Sequence, residues 1–138
     1  QNPFLLLSIF ILIWVFDSFA YLIGSILGKH KILPKISPAK SWEGIAGGFI
    51  FLLPAIMLIK SYFGIFSLWQ WIGLAVIVAI IGSIGDLFFS ALKRKSGVKD
   101  SGKLFPGHGG VLDRFDSFIF VIPFASFYLV IISLFGLL

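Results

Sequence analysis

Of the six acidic residues in this 138-residue chain, Asp86, Asp113 and Asp116 stand where carboxylates could hold a divalent cation beside a phosphate. Asp86 is followed by Ser90, Lys93 and Arg94 at i+4, i+7 and i+8, a spacing that lines all four along one face of a helix. A carboxylate set deep, a hydroxyl above it and two cations at the mouth suit a cation bound beneath an anionic phosphate. The competing reading is an acid neutralised by a nearby lysine. Asp113 and Asp116 fall at i and i+3 where another apolar run begins. Hard oxygen ligands of this kind suit Mg²⁺, which keeps waters and bridges to substrate phosphates; a second cation beside it is left open. Asp113 could also cap the helix, and capping and metal binding are compatible. Bringing Asp86 against Asp113 and Asp116 would account for buried acids being tolerated.

Asp17 has a mostly apolar run before it and another apolar run after it. In a bilayer a carboxylate at such a position costs at least ~2.5 kcal/mol on insertion scales, so it needs a partner or a water-filled cavity. It either lines a functional cavity or forms an interhelical clamp with Ser83 or a lysine. Glu43 suits a place near the headgroups. The run Pro106-Gly-His-Gly-Gly110 cannot be a stable helix, and its glycines let backbone N–H groups converge on an anion. His108, set between glycines and just before the acids, is a candidate ligand contact. Lys93, Arg94, Lys103 and Arg114 are candidates for phosphate, arginine by bidentate pairing, or for anionic lipid headgroups. Lys95 and Lys99 suit the headgroup role.

The elements that must position these residues are membrane spans. The chain is 59% hydrophobic and 12% charged, with a mean hydropathy of +1.07, outside the range of soluble domains. Seventeen Phe and four Trp fit a lipid-facing surface with interfacial anchors. With no cysteine, a disulfide framework and thiolate-ligated metals are excluded. Four apolar segments, Phe4 to Leu27, Gly44 to Ile59, Trp69 to Leu92 and Phe115 to Leu138, predict a single all-α domain over 1–138, a bundle of about four transmembrane helices. The second segment is short and carries Pro54, so it borrows Lys60 and Tyr62 at its end. Lys29, Lys31, Lys35 and Lys40 fall in the first connection, and Lys93, Arg94, Lys95, Lys99, Lys103 and Arg114 in or around the third. Four spans place these connections on one side, the cytoplasmic one by the positive-inside rule. Gly24 with Gly28, Gly44 with Gly48, and Gly82 with Gly85 predict close helix approach.

Ser90, Lys93, Arg94, Lys99, Asp100, Pro106, His108, Gly109, Gly110, Asp113, Arg114 and Asp116 stand at the spacing of the signature of the phosphatidate cytidylyltransferases, the CDP-diacylglycerol synthases of membranes. A second block, Asp17 to Gly24 with Gly28 to Lys31 and Ser37 to Gly44, resembles the same family. The resemblance implies the carboxy-terminal, catalytic portion of an integral protein of a bacterial inner membrane, its active site facing the cytoplasm. It implies transfer of a cytidylyl group from CTP to phosphatidate, giving CDP-diacylglycerol and pyrophosphate with Mg²⁺. Asp86, Asp113 and Asp116 would be the metal ligands. Lys93, Arg94, Lys103, His108 and Arg114 would contact phosphate or nucleotide, with Gly109 and Gly110 beside them. Ser90 would support the metal or lipid phosphate, and Asp17 and Lys40 would line the cavity. Nucleic acid has no place in this reading; a homodimer is compatible with it. Two alternatives remain: a related CTP-dependent lipid or polyprenol kinase, and a cation transporter using the intramembrane aspartates, for which the long charged loop is surplus.

Overall fold

The computed structural model describes residues 3–95, 97 and 111–135, with the backbone alone over 111–116. Among the described residues four helices cross the molecule: α1 (Pro3–Leu27), α2 (Trp42–Phe63), α3 (Leu68–Lys95) and α4 (Val111–Leu134). All four contain stretches long and apolar enough to cross a membrane, and at 1.5 Å per residue they reach ~33 to ~42 Å against a hydrocarbon core of ~30 Å. The protein is a membrane protein with an all-α bundle. Helix α2 runs through Pro54 and includes Lys60 and Tyr62, as its sequence requires if so short an apolar run is to span. Trp42 at its start, Tyr62 in its last turn and Trp69 beyond it are exposed, as interfacial aromatics are.

The first connection holds more order than its sequence predicts. Lys31–Leu33 (β1) and Ser37–Ser41 (β2) pair as an antiparallel hairpin whose register pairs Lys31 with Ser41 and Leu33 with Ser37. Strand β2 runs straight into α2. Ser41 is the helix N-cap, its backbone extended, its Oγ accepting from the Gly44 N–H at 3.1 Å, and Glu43 in the first turn is favourable with the helix dipole. The Glu43 carboxylate also accepts from the His30 backbone N–H at 3.2 Å and meets His30 Nδ1 at 2.6 Å, while the Trp42 N–H donates to the His30 carbonyl. These bonds tie the base of the hairpin to the start of α2.

Helices α1 and α2 share the most extensive contact among the described elements, and small residues set their separation. A Cβ added to Gly44 would stand 2.5 Å from the Ala20 carbonyl oxygen, and one on Gly48 would meet the Phe16 ring at 2.8 Å. Gly24 faces Gly44 across the same seam, with the buried Ser41 hydroxyl wedged beside Gly24 and Gly28. Helix α3 approaches α4 through Gly85, where a Cβ would lie 3.0 Å from Phe120. The core along the bundle axis joins Leu12 and Phe16 of α1, Leu52 and Ile56 of α2, Trp71, Leu74 and Val78 of α3, and Val121 and Ala125 of α4.

Candidate active site

Four segments bring polar side chains to one level of the bundle. Asp86 lies nine residues before the end of α3 and Asp17 ten before the end of α1, so each sits ~14–15 Å in from the helix end that faces the first and third connections. The hairpin reaches down to meet them. Because Ser41 is held by its cap and by the α1 glycines, the residue before it, Lys40, is carried over α3. Its ammonium donates to Asp86 Oδ2 at 2.7 Å and lies 3.4 Å from the Ser83 carbonyl oxygen. From the fourth helix Ser117 Oγ donates to Asp86 Oδ1 and stands 3.5 Å from Asp17 Oδ2. One carboxylate is thus shared between an ammonium and a hydroxyl, and that hydroxyl stands between two carboxylates.

A cavity of about 440 Å³ opens beside this cluster. Asp17, Lys40, Ser83 and Asp86 give it a polar side, and Phe16, Ala20 and Ile45 an apolar one. The Lys40 and Asp86 side chains keep 22% and 20% of their exposure, so both remain within reach of a ligand in the cavity. Water and ligand can screen such a pair, which makes it weaker as a structural tie than a sealed one. It leaves two opposite charges partly open on the cavity wall.

Among the residues singled out from the sequence, Asp17, Lys40 and Asp86 are brought together. Ser90 and Lys93 are half-buried on the outward continuation of α3, and Arg94 is exposed. A lysine does neutralise Asp86, and it comes from the first connection rather than from the basic end of α3. Asp113, Arg114 and Asp116 belong to the first turns of α4, but their side chains lie outside the described residues. Lys103, His108, Gly109 and Gly110 lie wholly outside them. Among the described residues no group of three His, Asp or Glu side chains gathers as a metal site. The oxygen donors that do converge, the Asp17 and Asp86 carboxylates and the Ser117 hydroxyl, are hard ligands of the kind Mg²⁺ takes. Asp113 stands four residues, one turn, before Ser117 on α4.

Ser117 is the residue that sequence reasoning passed over. A signal was available, since it lies at i+4 from Asp113 and so on the same helical face. Next to Asp116, though, a serine carries little distinction of its own.

Residues 1–132 match the model of the cytidylyltransferase family. The chain is 46% identical over 127 residues to the phosphatidate cytidylyltransferase of Staphylococcus saprophyticus, covering 91% of this chain and 48% of that protein. It is likewise 46% identical over 127 residues to the protein of that name from Staphylococcus aureus, with the same coverage. Against the Haemophilus influenzae phosphatidate cytidylyltransferase it is 47% identical over 130 residues, covering 91% and 45%. The chain therefore spans about half the length of the curated relatives it matches. A match over nearly the whole chain, on a membrane bundle whose polar residues converge at one cavity, leads to one statement of kinship: the chain belongs to the cytidylyltransferase family.

Proposed function

We propose that the protein carrying this chain is a phosphatidate cytidylyltransferase of a bacterial inner membrane, with its active site open to the cytoplasm. The observation that carries the reading is the convergence of Lys40, Asp86, Ser117 and Asp17, from four separate segments, beside one cavity within the bundle. Two of the protein's relatives' features support it: their names and the extent of the match. The acceptor is a lipid whose phosphate must meet a nucleotide's phosphates without leaving the membrane, and a polar cavity between spanning helices suits that meeting.

The reaction joins a phosphatidate oxygen to the α-phosphorus of CTP while the bond from that phosphorus to the bridging oxygen breaks, and pyrophosphate departs with the electron pair. No covalent enzyme intermediate is needed. Both reactants are anionic, so their approach requires positive charge at the site. Lys40 supplies one such charge inside the cavity, and Lys93, Arg94, Lys103, His108 and Arg114 are assigned to the phosphates and nucleotide at its mouth. Mg²⁺, when bound by Asp86 with Asp113 and Asp116, would add screening of the phosphates and stabilisation of the leaving pyrophosphate. Ser117 and Lys40 hold the Asp86 carboxylate in one orientation, so that its oxygens are placed before substrate arrives.

The test is formation of CDP-diacylglycerol from labelled CTP and phosphatidate by the full-length protein in liposomes. Product that requires Mg²⁺ and disappears in a folded Asp113→Asn variant is expected. Equal product from that variant would remove Asp113 from the metal site. No product from the folded parent, with phosphorylation of a lipid alcohol instead, would turn the reading to a kinase.

A further inference from the structure

Serine in a helix usually satisfies its hydroxyl by donating to a carbonyl of the preceding turn. Ser8, Ser25 and Ser61 do so here, to Phe4, Leu22 and Leu58 at 2.7 to 2.8 Å. Ser83 does not. The residue is 6% exposed, and its hydroxyl is buried without a hydrogen-bond partner among the described residues. A buried hydroxyl left unpaired is costly, so its persistence one turn before Asp86, on the wall of the cavity, points to a partner that arrives with a ligand. The neighbouring ammonium has a matching surplus. Lys40 carries three N–H donors, and Asp86 and the Ser83 carbonyl account for two.

We propose that Ser83 and Lys40 form the subsite for the phosphomonoester of the lipid substrate, the Ser83 hydroxyl and the remaining Lys40 N–H donating to its oxygens. This rests on the cytidylyltransferase reading above. Phosphate oxygens come to such an enzyme from two sources, lipid and nucleotide, and the cavity favours the first. It lies beside residues ~14–15 Å inside the bundle, with Phe16, Ala20 and Ile45 offering apolar contact. Lys40 is its one cationic residue among the described lining, enough for a monoester but poor for a triphosphate. The basic cluster after Asp86 on α3, Lys93 to Lys95, is better placed for the latter.

The experiment measures binding rather than turnover. Full-length protein in detergent with Mg²⁺ is titrated with dioctanoyl phosphatidate alone and with CTP alone, for the parent and for Ser83→Ala, Ser83→Thr and Lys40→Gln. Ser83→Ala is expected to weaken phosphatidate about tenfold, the usual worth of one hydrogen bond to a charged group. CTP affinity should stay within about twofold, the same bond being absent from that complex. Its ligand-free unfolding midpoint should equal or exceed the parent's, since the deleted hydroxyl has no partner among the described residues. Ser83→Thr should retain most of the lipid affinity, and Lys40→Gln should weaken phosphatidate more than CTP. Unchanged phosphatidate affinity in Ser83→Ala, or an equal loss for CTP, overturns the subsite. A parent that binds phosphatidate in this pattern yet forms no CDP-diacylglycerol on mixing with CTP overturns the reaction and leaves the subsite standing.

Discussion

The two halves of α3 are held by different physics. From Trp71 to Ala79 its inner face is buried among aliphatic and aromatic side chains, with Trp71, Leu74 and Val78 almost fully enclosed. From Gly82 to Asp86 it presents small residues, a hydroxyl without a hydrogen-bond partner among the described residues, and a carboxylate shared between Lys40 and Ser117. In lipid the first half gains from dispersion and close packing rather than from leaving water. The second half gives up that packing for a cavity. One helix thus carries an apolar, packed stem and a polar end, and the polar end meets α4 and the hairpin. Substitutions in the two halves should therefore separate stability from activity.

The largest effect on activity is expected at Asp86. Asp86→Asn in the full-length protein should lower CDP-diacylglycerol formation by at least about a hundredfold, as loss of a charged group at a phosphate site does. The unfolding midpoint should fall as well, because Lys40 loses its carboxylate. The double replacement Lys40→Met with Asp86→Leu sharpens the contrast. Removing both charges together is often neutral for stability where removing one is not, so the midpoint should recover while activity does not. Recovery of activity in the double variant would show that the pair only holds the hairpin in place.

The stem should behave the opposite way. Leu74→Ala removes a buried side chain from the apolar half and is expected to cost ~2–5 kcal/mol of stability, measured by unfolding in detergent. KM for both substrates should be unchanged in the protein that remains folded. A shift in KM without loss of stability would mean that the stem takes part in binding. An intermediate case lies where the halves meet, at Gly85. A Cβ there would stand 3.0 Å from Phe120, so Gly85→Ala should push α4 outward at a cost of ~1–3 kcal/mol. Because Ser117 lies on α4 one turn before Val121, the same change should also lower activity.

The stem was the legible half. A span is announced by an uninterrupted apolar run of the right length, so all four helices, and the common side of the first and third connections, follow from composition alone. The glycine seams at Gly44, Gly48 and Gly85 were legible for the same reason, since small residues in lipid-facing helices have few other uses. The polar half was legible only in part. An isolated Asp17 or Asp86 in an apolar run demands an explanation, but which partner answers depends on the hairpin for Asp86 and on α4 for both. Strands of three and five residues, half of them polar and with a slipped register, leave no periodic trace. Lys40 could be seen as one lysine among four in its connection; its reach to Asp86 comes from the Ser41 cap and the α1 glycines acting together. Ser83 was visible as a possible clamp for Asp17, and its lack of a partner among the described residues is a property of the folded chain.

The smallest effect isolates the comparison from packing altogether. Gly64 ends α2 in the left-handed region, φ 57°, with its N–H donating to the Lys60 carbonyl at 2.9 Å. An added Cβ would meet nothing within 4 Å, so Gly64→Ala has no steric consequence beyond its own backbone. A non-glycine residue held there costs ~1 kcal/mol, and nothing else in the cap needs to move. This turn lies at the end of the bundle away from Asp86, beside the aromatic stem. The variant should therefore lose ~1 kcal/mol of stability with KM for CTP and phosphatidate and the turnover number all at parental values. A change in any kinetic constant would show that strain at the far turn reaches the cavity, and that stem and site are one cooperative unit rather than two.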